Sequence, residues 1–233
     1  MDAMSRREAL AAGLAATRTR IAAAETAAGR DPGSVGLMVV TKFFPASDVR
    51  LLAELGVSDV GENRHQEAEA KAYECADLGL RWHFIGGLQT NKAAAVARYA
   101  DVVESVDRIE LVPRLARGAA ESGRRLEILL QVSLEHGVEG RSGAAPADLA
   151  RLAATATEAG LDVRGLMAVA PLGEDPAVAF GRLIDVRTEF LTDHPDATAL
   201  SAGMSGDLEQ AIAVGATHVR VGSAILGSRS SVK

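Results

Sequence analysis

The chain has a single cysteine, Cys75, in 233 residues. An internal disulfide and a cysteine-based metal cluster are thereby excluded, and the cell interior is the expected compartment. Aromatic residues make up only 3%, too few for the stacking platforms that bind single-stranded nucleic acid. Basic charge is in the minority: 25 Lys and Arg stand against 31 Asp and Glu, a net charge of −6. No cationic field is available to follow a polyanion, so nucleic acid is not an expected partner and any anion site should be small and local. No apolar run reaches the ~18 residues of a membrane helix. The opening MDAMSRREALAAGL lacks the compact apolar core and cleavage site of a secretory signal. A cytoplasmic protein without membrane association is expected. The five histidines are scattered without metal-ligand spacing. Lysine is scarce too, with four (Lys42, Lys71, Lys92 and Lys233) against 21 arginines.

What is present is 48% hydrophobic content, arranged as short Val, Ile and Leu runs alternating with stretches of helical period, the pattern of parallel βα units. Strands are expected at 35–41, 59–62, 81–85, 102–105, 126–133, 163–169, 199–202 and 218–222. Helices are expected at 46–55, 64–75, 91–99, 108–122, 146–159, 176–193 and 207–214, with an opening helix over roughly 5–28 that covers the face an eighth would occupy. Gly56, Gly123, Gly160 and Gly215 fall at helix ends, where a left-handed cap is wanted. No linker divides the chain, and 171–176 reads as a loop. The simplest architecture is one α/β domain over 1–233, an eight-stranded (β/α)8 barrel of the TIM type.

Such barrels bind ligands at the C-terminal ends of their strands, with phosphate often in the loops after strands seven and eight. Strand seven runs into Gly203-Met204-Ser205-Gly206-Asp207 and strand eight into Gly222-Ser223-Ala224. Glycines permit close backbone approach, serines offer hydroxyls, and a helix start near Asp207 offers N–H groups: together a phosphate cup. Either loop alone would be an ordinary turn; finding both on these two strands points to an anion. Lys42 ends strand one at the same mouth, before the bulky Phe43-Phe44-Pro45. A desolvated lysine near cations keeps some free amine for imine formation with an aldehyde. A surface lysine is the plainer reading, but a chain this rich in arginine would have supplied a bare charge as arginine. Lys92 is the rival amine. Asn63 and His83, at the ends of strands two and three, are candidates to touch a planar ring, and His83 is equally a hydrogen-bonded core residue. Arg220 alternates with Val219 and Val221 and needs a partner, which could be Glu62, Asp207 or a heterocyclic nitrogen. A phosphorylated aldehyde with a basic ring nitrogen would satisfy the whole set.

Residue by residue, the chain resembles the pyridoxal 5′-phosphate homeostasis protein family (YggS/PROSC type) over nearly its full length. The resemblance rests on Val40-Thr41-Lys42 with Pro45, Gly61-Glu62-Asn63 with Gln66-Glu67, Trp82-His83-Phe84-Ile85-Gly86 with Leu88-Gln89 and Asn91-Lys92, Gly165-Leu166-Met167, Gly203-Met204-Ser205 with Asp207, and Val219-Arg220-Val221-Gly222-Ser223-Ala224-Ile225. It departs at Phe43, Phe44, Arg64 and Gly87. The resemblance implies an alanine racemase N-terminal-domain-like barrel (fold type III), Lys42 carrying pyridoxal 5′-phosphate as an internal aldimine, and Ser205, Gly222 and Ser223 on its phosphate. Arg220 would face the pyridine nitrogen.

Racemases of that fold type add a β-domain and use a partner subunit's tyrosine as second base. Here the chain is expected to lack that domain, and its only tyrosines, Tyr73 and Tyr99, fall in expected helices. An arginine at the ring nitrogen disfavours its protonation and weakens the ring as an electron sink. The expectation is therefore a monomeric carrier that holds the cofactor and other B6 vitamers for intracellular balance and delivery to apoenzymes, with no catalytic residue assigned. A racemase-like enzyme and a class I aldolase on a phosphosugar are the competing readings.

Overall fold

The computed structural model describes residues 3–135 and 142–227; Lys233 lies outside them. Eight parallel strands close into one barrel in sequential order: β1 (Gly36–Val40), β2 (Asp59–Glu62), β3 (Arg81–Phe84), β4 (Val102–Val106), β5 (Glu127–Gln131), β6 (Asp162–Met167), β7 (Ala199–Ser201) and β8 (His218–Val221). All lie where the apolar runs placed them. Around them stand α1 (Ala3–Ala27), α2 (Ala46–Glu54), α3 (His65–Glu74), α4 (Ala93–Val96), α5 (Val112–Ser122), α6 (Leu149–Glu158), α7 (Pro176–Asp193), α8 (Leu208–Ala213) and α9 (Ser223–Leu226). The four glycines expected to stop helices all have positive φ.

Three helical expectations change. The helix expected over 91–99 shrinks to α4, because i→i+3 bonds bracket it: Lys92 to Gln89 before, Arg98 to Ala95 and Tyr99 to Val96 after. Helix α5 approaches it so closely that a Cβ on Gly118 would lie 2.2 Å from the Ala94 carbonyl oxygen, and this packing overrides the helix propensity of the alanines. The helices expected from 108 and 146 open instead as 3-10 turns, Ile109–Leu111 and Pro146–Asp148. The short α9 was not anticipated; four residues are too few to carry a periodic signal.

Helix α1 buries Leu10, Leu14, Thr17, Ile21 and Ala24, spaced four, three, four and three, which is a single helical stripe. It packs on α8, α9 and α2 and so covers the side of the barrel where β8 meets β1, as expected of an opening helix. Arg30 and Arg6 tie it down by donating to the Ala216 carbonyl at 2.6 Å and the Leu226 carbonyl at 3.2 Å.

The barrel interior depends on one irregularity. Between β5 and β6 the register runs from Ile128↔Val163 to Leu129↔Gly165, skipping Arg164. This bulge reverses the alternation, so Leu166 joins the outer core and Met167 meets Val102 and Leu129 in the inner one. Gly165 has φ 154°, and a Cβ there would lie 1.9 Å from the Ala199 carbonyl oxygen. Gly165→Ala should therefore cost at least ~2 kcal/mol, since left-handed strain alone costs ~1–3 kcal/mol. Chemical denaturation measures it, and a loss below ~0.5 kcal/mol would contradict the bulge.

Candidate functional site

Around the C-terminal mouth the strand ends of β7, β8, β1 and β2 are consecutive neighbours, and each contributes a polar residue. From β7 comes Ser205. Its loop is closed by Asp207, whose Oδ1 accepts from the Met204 N–H at 2.6 Å. Arg20 of α1 donates to the Ser205 carbonyl at 3.0 Å while gripping Glu209 at 2.8 and 2.9 Å. From β8 comes Ser223, the first residue of α9, whose hydroxyl donates to that of Ser205 at 3.4 Å. Gly222 between them lies so near β1 that a Cβ would sit 3.0 Å from the Val40 carbonyl oxygen. Two serine hydroxyls over a close-approach glycine form a small anion cradle.

Lys42 is the second residue past β1 and is half-buried. The register Val39↔Val221 sets its strand end beside Gly222 and Ser223. Its main chain is pinned from both sides by a cluster sequence reasoning missed. Lys71 of α3 donates to the Thr41 carbonyl at 2.8 Å, Glu62 Oε1 at 2.7 Å and Glu67 Oε1 at 2.7 Å, and Glu67 Oε1 also accepts from the Phe43 N–H at 2.5 Å. The Thr41 hydroxyl donates to Glu62 Oε1 at 2.6 Å. An ammonium has three N–H donors, and here each meets an acceptor. Burial pushes the Glu62 carboxyl above its ordinary range, with the Lys71 charge pulling back. Phe43 adopts φ 71°, left-handed for a bulky side chain, a strained state that persists because its own N–H is held by Glu67 and that of Phe44 by the Thr41 carbonyl. The residue is 39% exposed, with its ring under the Arg64 guanidinium at 4.7 Å.

Asn63 ends the arc. Its Oδ1 is buried without a hydrogen-bond partner among the described residues, and it borders a cavity of about 570 Å³ lined also by Gly86, Gln131, Leu134, Met167 and Pro171. A buried acceptor at the edge of a cavity is suited to a ligand that brings a donor. Lys92, the rival amine, precedes α4 beyond β3, off this arc.

Two sequence assignments are revised. Arg220 is partnered by neither Glu62 nor Asp207. It points into the barrel, where it donates to Ser201 Oγ at 2.6 Å and the Ala168 carbonyl at 2.8 Å. Glu62 is held by Lys71 and Asp207 by its own loop. Burial lowers the Arg220 pKa, with Glu104 and Asp207 opposing. His83 is 5% exposed, and both its ring nitrogens are engaged, Nδ1 with Glu104 at 2.9 Å and Nε2 with Asp59 at 3.0 Å. It lines a separate cavity of about 260 Å³ at the N-terminal end of the barrel, with Asp59, His218 and Gly36. Its inward alternation on β3 makes it a hydrogen-bonded barrel-filling residue, away from the Asn63 cavity. Neither tyrosine borders that cavity: Tyr73 is exposed, and Tyr99 is buried with its ring stacked on His65 at 5.9 Å.

The described helices include none long and apolar enough to cross a membrane. Residues 13–230 match the family model described as alanine racemase, N-terminal domain. Two similar proteins bear the name pyridoxal phosphate homeostasis protein. That of Mycobacterium leprae is 42% identical over 232 residues, covering 92% of this chain and 90% of its own length. That of Pseudomonas aeruginosa is 44% identical over 225 residues, covering 94% and 96%. Among solved structures, PipY of Synechococcus elongatus with PLP bound superimposes with a TM-score of 0.80 at 37% identity, over 94% of this chain and 100% of that one.

Proposed function

The chain belongs to the pyridoxal phosphate homeostasis protein family, and from that premise we propose that it is an intracellular pyridoxal 5′-phosphate carrier, a single domain over 1–233 acting in B6 balance and delivery. The observation that carries this reading is the contiguous arc of Ser205, Ser223 with Gly222, Lys42 and Asn63 on four adjacent strand ends. Bound there, pyridoxal phosphate supplies an aldehyde that condenses reversibly with an amine and a conjugated ring whose visible absorption reports the link.

Each residue of the chain has a part. Ser205, Ser223 and the main chain at Gly222 hold the phosphate, with Arg20 fixing the Ser205 loop from behind. Lys42 supplies the amine, and Lys71, Glu62 and Glu67 hold the peptide groups on either side of it. Asn63 offers its orphan acceptor to the ring. Arg220, held by Ser201 and the Ala168 carbonyl, would supply a fixed cation to the pyridine nitrogen. His83 supports the barrel from inside.

Delivery requires contact with another protein. The mouth loops carry Phe43, Val169, Leu172 and Met204, exposed apolar side chains of which Leu172 is 94% exposed. Such a rim suits transient contact with a pyridoxal-phosphate-dependent apoenzyme. Vitamers that share the ring and phosphate but lack the aldehyde would enter the same cradle without the covalent step. The carrier works as a monomer in this reading.

Gly222→Ala tests the cradle. The added methyl presses on the Val40 carbonyl oxygen at 3.0 Å and shifts the main chain that joins β8 to Ser223, so cofactor affinity should fall at least ~10-fold while stability changes by less than ~1.5 kcal/mol. Titration of the visible band and denaturant unfolding measure the two. Unchanged affinity would overturn the phosphate assignment.

A further inference from the structure

Deep in the barrel, five strands (β8, β7, β4, β3 and β2) join in one chain of hydrogen bonds with a fixed direction. Arginine only donates, so Ser201 Oγ must accept from Arg220, and its single hydrogen goes to Glu104 Oε2 at 2.6 Å. Glu104 Oε1 faces His83 Nδ1 at 2.9 Å, and His83 Nε2 faces Asp59 Oδ1 at 3.0 Å. A histidine between two carboxylates satisfies both only when both nitrogens carry hydrogen. The order is therefore Arg220 to Ser201 to Glu104, met from the other side by an imidazolium that also donates to Asp59. Glu104 and Ser201 are 0% exposed. A fully buried carboxylate is costly unless every oxygen is engaged, and here each oxygen has a partner.

Electrostatics agree with the geometry. Burial would push the His83 imidazolium below its ordinary pKa, but its bonds to Asp59 and Glu104 outweigh this and raise it to about 9. Burial would raise the Glu104 carboxyl, yet His218 and His83 hold it well below the ordinary range. The other charged groups facing this layer are Arg81 from β3, Glu127 from β5, Arg164 from β6 and His218 from β8. His218 Nε2 approaches Glu104 Oε1 at 3.5 Å.

We propose that Glu104 is a positioning residue for the cofactor: through the Ser201 hydroxyl it locks the Arg220 guanidinium in the orientation that meets the pyridine nitrogen. The inference rests on the carrier reading above. Glutamine at 104 has one oxygen for two donors and brings an NH₂ that opposes either His83 or Ser201, so the direction of the chain is lost. Alanine at 201 removes the bridge while leaving the Glu104 charge in place.

The test is a double-mutant cycle on pyridoxal phosphate binding to the full chain, read by the affinity and the position of the visible band. Glu104→Gln and Ser201→Ala should each weaken binding ~10-fold and displace the band, and neither should weaken it further in an Arg220→Gln background. Ser201→Ala, a smaller change, carries the test if Glu104→Gln does not fold. An unsubstituted protein that shows no visible band overturns the carrier reading and this inference with it. A normal band in the unsubstituted protein, with either folded variant unchanged or with losses that persist beside Arg220→Gln, overturns this inference alone.

Discussion

Lys42→Ala is expected to fold normally, to lose the visible band of the bound cofactor entirely, and to bind pyridoxal phosphate at least ~10-fold more weakly. Folding should survive because Lys42 is half-buried just past β1, and surface truncation outside a packed core usually changes stability by under ~0.5 kcal/mol. The network that fixes this segment runs through the main chain of Thr41 and Phe43, which alanine retains. What remains is the cradle of Ser205, Gly222 and Ser223, able to hold a phosphate without a covalent step. Spectrophotometric titration of the variant beside the unsubstituted protein checks this. A visible band that survives would move the amine to another residue, and unfolding of the variant would make Lys42 structural.

The second large effect concerns stability. Lys71→Met should destabilise the protein by ~3–5 kcal/mol, the cost of stranding buried charge when one ion-pair partner is removed. Glu62 is 1% exposed and shares its Oε1 between Lys71 and Thr41; without the ammonium it is a buried anion, and the Thr41 carbonyl also loses its donor. The pH dependence has a defined sign. The folded-state pKa of Glu62 is raised, by burial first and despite Lys71. A raised carboxyl favours folding most where it is protonated, below its unfolded range, and loses that contribution as pH rises through the folded value. Removing Lys71 raises the folded value further, so the deficit should be smallest in acid and grow toward neutrality. Urea unfolding of both proteins at about pH 5 and about pH 8 measures the difference. A deficit that is the same at both pH values would mean that Glu62 stays ionised without its partner. Lys71→Arg should not rescue stability, because a planar fork cannot meet three converging acceptors as a tetrahedral ammonium does.

Much of this was legible in the sequence because it depends on local pattern. Apolar runs of strand length separated by helical periodicity located all eight strands, and polar residues at strand ends marked the mouth. Lys42, Ser205, Gly222 and Ser223 emerged that way because their position along a strand already determines which end of the barrel they occupy. Partners across the barrel did not emerge. Lys71 looked like an ordinary helix charge, although the scarcity of lysine that singled out Lys42 applied to it equally, as did its i,i+4 spacing from Glu67. Glu104, in Val102-Val103-Glu104-Ser105-Val106, carried a signal in being a carboxylate in a valine-rich strand, but nothing local says that it reaches Ser201 across the barrel on β7 and His83 on the adjacent β3. The protein partner of Arg220 was sought in Glu62 and Asp207, whereas the neighbouring β7 supplies a serine instead. The Gly165 bulge was invisible for a similar reason: skipping one residue leaves composition unchanged and is fixed only by pairing with β5.

The central claim is that the amine at the end of β1 forms the covalent link. Borohydride reduction of the protein loaded with pyridoxal phosphate, followed by peptide mapping, tests it most directly. The account predicts a single pyridoxyl adduct on Lys42. An adduct on Lys71 or Lys92 with Lys42 unmodified, or no adduct on a protein that has bound the cofactor, would contradict it.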